Sequence, residues 1–172
     1  MRHWERALAA TSEAGDERLD TLLELADARH RAGSGEAAGR TFLRAAGLAR
    51  SAGNARGLAR AALGLHAIGR RTWWPPDQLV AVLSEALAAL GGKAGQDAAA
   101  DAALRPQVMA ALARVLAWHG RDLPRAQELA QAAVAAARQG GDPALVASCL
   151  LAQHNVIWRP GRRGSGARWP RR

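Results

Sequence analysis

The chain has 172 residues, 43 of them alanine, with 24 Lys+Arg against 15 Asp+Glu and a formal charge of +9. One Phe, no Tyr and two Ile leave it poor in the aromatic and β-branched residues that pleated sheets favour, which excludes an all-β fold. The single Cys149 excludes an internal disulfide framework and a multi-cysteine metal site, and no run approaches the length of an apolar membrane span.

Helical periodicity begins at once. A leading helix is expected near residues 3–14, and Met1 to Arg6 lacks the apolar run of a secretory signal, so a cytoplasmic location is expected. Gly15-Asp16 then sets a helix-ending Gly before a residue suited to N-capping, and Leu19, Leu22, Leu23 and Ala26 form an apolar stripe. Ser34 to Thr41 has a superficial likeness to a phosphate-binding loop. It lacks the first Gly, the Lys and a preceding strand, so it reads as a hairpin turn opening the next helix. Ala38, Phe42, Ala45, Ala46 and Ala49 carry that helix to Gly53-Asn54.

Leu58, Ala61, Ala62 and Leu65 follow, interrupted by Trp73-Trp74-Pro75-Pro76. Leu79, Val82, Leu83, Ala86, Leu87 and Leu90 lead to glycines 91, 92 and 95 and a looser cap at Asp97. Val108, Met109, Leu112 and Leu116 form the next helix, where Pro106 predicts either a late start or a kink. An Ala-rich helix over 126–137 ends at Gly141-Asp142-Pro143, and Leu145, Cys149, Leu150 and 152–156 complete the series. The reading is all-α, with about eight helices in about four hairpins.

The caps at 16, 54, 97 and 142 are spaced 38, 43 and 45 residues apart, the span of two helices with their turns. The chain also matches itself. Leu25-Ala26 and Leu112-Ala113 stand 87 apart, as do Gly33 and Gly120. After a one-residue difference the offset is 88, pairing Ala38 with Ala126, Ala45 with Ala133, Gly53 with Gly141 and His66 with His154.

Small residues at fixed places allow close helix approach, and larger ones fill the gaps between hairpins. The order Leu22, Leu25-Ala26, Ala38, Phe42, Ala45 resembles the tetratricopeptide repeat. The second copy has Ala130 for the large residue, Arg29 stands where that family usually has an aromatic, and the units are longer than is usual there, so they read as divergent and TPR-like, with an irregular helical bundle as the alternative. A broader resemblance, over roughly residues 4–161, runs through residues 6–8, 32–33, 45–50, 58–64, 83–90, 141–145 and 153–161. These strings are similar to the helical-repeat region of large ATP-dependent bacterial transcriptional regulators of the LuxR type. It implies a right-handed α-solenoid over residues 1–158, here without the ATPase and DNA-reading domains of that family.

Residues 159–172 hold six arginines and no acid, leaving 18 basic and 15 acidic side chains, a net of +3, in residues 1–158. This Gly/Pro/Arg tail is expected to be disordered. Either it is an arm for nucleic acid through Arg162, Arg163, Arg168, Arg171 and Arg172, with Trp169 stacking on bases, or it is a solvated tail left by truncation or a frameshift.

The five histidines show no metal-ligand spacing, and Cys149 lies in no nucleophile motif and suits a buried apolar filler. The expected function is therefore non-catalytic and cofactor-free: a protein-interaction or scaffold module, a fragment of a signal-transducing regulator. Arg29, Arg60, Arg70, Arg71, Trp73 and Trp74 are the candidate partner-binding residues, although one of the two tryptophans also suits core packing at a hairpin junction. Trp118 and Trp158, at helix ends, are expected to pack between hairpins.

Overall fold

The computed structural model describes residues 15–69, 75–91 and 98–158, with the backbone alone for 98–101. The leading helix, the Asp97 cap and the arginine tail lie outside the described residues. Seven helices and no strand occupy the described chain: α1 (Gly15–Arg31), α2 (Gly35–Ser51), α3 (Ala55–Gly69), α4 (Pro76–Ala89), α5 (Ala98–Trp118), α6 (Leu123–Gly140) and α7 (Pro143–Ile157).

The turns follow from glycine chemistry. Gly33, Gly53, Gly120 and Gly141 all take the left-handed conformation, at φ 78°, 65°, 66° and 73°, where a Cβ would be strained. At the first three, the next residue's N–H reaches back to the last turn of the helix just ended: Ser34 to Arg29 O, Asn54 to Ala49 O and Arg121 to Leu116 O. Positions that match in sequence at offsets of 87 and 88 thus share one backbone role.

The predicted caps behave unevenly. Asp142 accepts from Ala144 N at 2.9 Å, and Asn54 accepts from Gly57 N at 2.7 Å. Asn54 also donates through Nδ2 to Asp16 Oδ1 at 2.9 Å, tying the starts of α1 and α3 together. Asp16 itself stands inside the first turn of α1. A cap absent from the expectation is Asp122, at φ 36°, which accepts from Arg125 N.

Each helix packs against the next in sequence, and α1, α3, α5 and α7 also pack in succession against one another. One core joins α1 to α6 and reaches Val156 of α7. A second, smaller one unites Met109 and Ala110 of α5, Ala133, Val134 and Ala137 of α6, and Cys149 and Ala152 of α7. Alanines at the contact lines are fully covered, among them Ala26, Ala38, Ala45, Ala61, Ala62, Ala126 and Ala130. Their short side chains let backbones approach closely, so the alanine content is structural rather than filler.

Phe42 is the largest fully buried side chain among the described residues. Its ring occupies the space where a Cβ of Gly64 would stand, which explains a glycine in the middle of α3. Pro106 lies within α5 and is buried, and its carbonyl receives the Cys149 thiol at 3.9 Å. Burial pushes that thiol's pKa up, in keeping with a packing role.

Two expectations fail. Trp118 and Trp158 are each 74 % exposed rather than packed between hairpins. Trp118 is the last residue of α5; Val115 and Ala111, three and seven positions before it on the same side of the helix, are covered, so its exposure belongs to the helix end, beyond the packed turns. Leu150, expected in the apolar stripe of α7, is 40 % exposed, because no described helix covers that side.

Candidate functional site

On α1, Asp20, Glu24 and Asp27 fall at i, i+4 and i+7, one stripe of a helix. Arg60 of α3 reaches across to it. Its Nη1 donates to Asp20 Oδ1 at 2.6 Å and its Nη2 stands 3.8 Å from Glu24 Oε1. The α1–α3 packing that sets Asn54 against Asp16 also sets Arg60 against this row.

Asp27 is the electrostatically unsettled member. Burial, then the Glu24 charge, raise its carboxyl above the ordinary aspartate value. The cations Arg31, Arg60 and His30 oppose that rise and do not cancel it. The patch therefore holds three carboxylates, two of them bridged by the Arg60 guanidinium, with Arg31 and His30 near Asp27, which is half-buried beside Glu24. Its chemistry suits an ammonium, a guanidinium or a donor-rich backbone.

Of the predicted partner-binding residues, Arg29 and Arg60 are described, and they are not brought together. Arg29 lies nine positions after Asp20, about 180° around α1. There its Nη1 donates at 2.6 Å to Oγ1 of the buried Thr41, which in turn donates to Ala37 O at 2.8 Å. Arg29 thus joins the two helices of the first described hairpin, at the place where the repeat resemblance led to an aromatic. Arg70, Arg71, Trp73 and Trp74 lie outside the described residues. The acidic stripe was missed, although its spacing was a readable signal.

Other ion pairs tie distant elements. Arg50 of α2 grips Glu85 of α4 with both prongs, Nε to Oε1 at 2.5 Å and Nη2 to Oε2 at 2.6 Å. That hydrogen bonding holds the Glu85 carboxyl below its usual range and raises the Arg50 guanidinium. Arg121, after α5, pairs with Asp77 in the first turn of α4.

Among the described residues no three His, Cys, Asp or Glu side chains gather as a metal ligand set, and no helix is long and apolar enough to cross a membrane. Comparison with protein-family models, with curated proteins and with solved structures finds no match for this chain.

Proposed function

We propose that the chain is a non-catalytic protein-interaction module, a right-handed α-solenoid of divergent TPR-like hairpins. The observation that supports it most is the packing order: odd-numbered helices stack in succession, and each even-numbered helix lies against its two sequence neighbours. Stacked hairpins of this kind expose one long face to a partner. The Asp20, Glu24, Asp27 and Arg60 patch spans two successive odd-numbered helices, so it belongs to such a face. Its partner is an extended segment carrying lysine or arginine, with Arg60 gripping a carbonyl or carboxylate. The sequence strings shared with LuxR-type regulators make a cytoplasmic signal-transducing regulator the natural parent, in which this region would relay binding rather than perform chemistry.

Selection of peptides from a displayed random library on the full chain tests this. Enriched peptides are expected to be basic, and Asp20→Lys/Glu24→Lys is expected to lower their affinity at least tenfold with helical circular dichroism unchanged. Equal affinity for wild type and variant removes this patch from the site. The same assay on Trp73→Ala/Trp74→Ala reports on two of the remaining candidates.

A second reading, binding of nucleic acid, is favoured only by the six arginines of residues 159–172. It requires affinity that falls steeply with salt and disappears when those residues are deleted.

A further inference from the structure

All five large hydrophobic side chains that stand exposed among the described residues lie on α7 or at the end of the helix packed alongside it. Leu150, Leu151 and Ile157 are on α7, Trp158 caps it, and Trp118 ends α5, the helix packed alongside. On α7 the positions Ala147, Leu150, Leu151, His154, Ile157 and Trp158 recur at helical spacing and are all exposed, while Cys149, Ala152 and Val156 are buried on the opposite side. Trp158 is held by stacking on His154, with ring centroids 6.1 Å apart and planes at 24°. Two tryptophans at 74 % exposure and three aliphatic side chains leave on the order of 500 Å² of apolar surface open.

The internal repeat says what this face is shaped to meet. At the 88-residue offset, Ala147 and Leu150 correspond to Ala59 and Ala62 of α3, both fully buried, and Leu151 corresponds to Leu63, packed on the core. In α3 the packing of α4 and α5 covers those positions. The equivalent side of α7 is open, and its shape calls for an apolar helix lying antiparallel, as consecutive helices do here.

We infer that a second copy of this chain fills that place, with two α7 helices pairing face to face about a two-fold axis. Three observations select this occupant. Residues 143–157 contain no Asp, Glu, Lys or Arg, so two copies meet without burying a charge or opposing like charges. A two-fold axis across the helices makes them antiparallel and lets one patch complement itself. The other end of the described array, α1, exposes Asp16, Glu17, Arg18, Asp20 and Arg31, so a head-to-tail contact would press charged groups onto the apolar face. The open area, Trp118 included, is more than half of the roughly 800 Å² that each partner commits to a standard interface, and the edges of α7 complete it.

Sedimentation equilibrium of the full chain across about 1 to 100 µM tests the pairing. A reversible dimer is expected, shifted at least tenfold toward monomer by Leu151→Arg and separately by Trp158→Arg. Both sites are solvent-exposed, and helical circular dichroism and the melting temperature of the variants at dilution check their folding. Leu151→Cys, near the middle of the patch, should form an interchain disulfide far faster than Asp20→Cys. A monomer throughout the range, association that grows past the dimer, or a dimer indifferent to both arginine variants overturns the inference. Binding of peptides at the α1–α3 patch is read separately and does not depend on this result.

Discussion

Gly64 and Phe42 form a lock in which the absence of one side chain makes room for the largest buried one. Gly64→Ala forces the ring of Phe42 aside and is expected to cost about 1–3 kcal/mol despite alanine's higher helix propensity. Phe42→Ala should cost about 3–5 kcal/mol, since it empties the centre of the core. Combining Gly64→Ala with Phe42→Leu should cost less than the two separately, because the clash and its partner leave together. Urea denaturation of the four variants measures all of this. Asp27 makes a prediction in pH. Its carboxyl is raised in the folded chain, so the fold binds that proton more tightly than the unfolded chain does. The stability this contributes is present when the group is protonated and is lost as pH rises through its folded value. Ionised Asp27 is then a liability at neutral pH. Asp27→Asn is expected to raise the melting temperature at pH 7 by no more than about 2 °C, and the gain should vanish below about pH 4.

At the scale of the element, helix starts and stops carry separable weight. Asp142→Ala removes the bond to Ala144 N and should cost about 1 kcal/mol. Asp122 differs, because its cap is held at φ 36°, where a non-glycine residue is strained by about 1–2 kcal/mol. Asp122→Gly loses the cap and releases the strain, so it should stay within about 0.5 kcal/mol of wild type, whereas Asp122→Ala keeps the strain and should fall by about 1–2 kcal/mol. Thermal melts of the three variants distinguish these outcomes. The glycine turns and the Asn54 and Asp142 caps were legible in the sequence, because turn and cap chemistry is local. Asp122 was not, since its left-handed backbone is imposed by the turn after Gly120. Nor was the exposure of Trp118 and Trp158: a tryptophan at a helix end is aimed by the last turn, which composition does not report. The acidic stripe of α1 was readable by spacing, but Arg60 as its partner required knowing that helices about 40 residues apart lie side by side.

Across the whole molecule the interior is unevenly built. The larger core contains Leu19, Leu23, Phe42, Leu58, Leu65, Ile68, Leu83 and Leu112, whereas the core shared by α5, α6 and α7 is mostly alanine with Met109, Val134 and Cys149. Less apolar area is removed from water per residue at the α7 end. In dilute solution, amides of α6 and α7 are therefore expected to exchange through partial openings about 1–3 kcal/mol easier than those of α2 and α3, as measured by native-state hydrogen exchange. A flat profile across all seven helices would argue for a single cooperative unit. The packing order of the helices was foreshadowed by the 87- and 88-residue self-match, whereas the difference between the two cores was not. Alanine-rich stripes look alike in sequence until their neighbours are known.

The alanines along the contact lines carry a mechanical consequence. An alanine has no rotatable side-chain torsion, so these seams have no rotamers to exchange and almost no side-chain entropy to release. Along these alanine lines the interior cannot adapt by repacking. Docking of a partner, as proposed above, is then expected to move the helices as rigid rods, with the bending at the glycine turns between them.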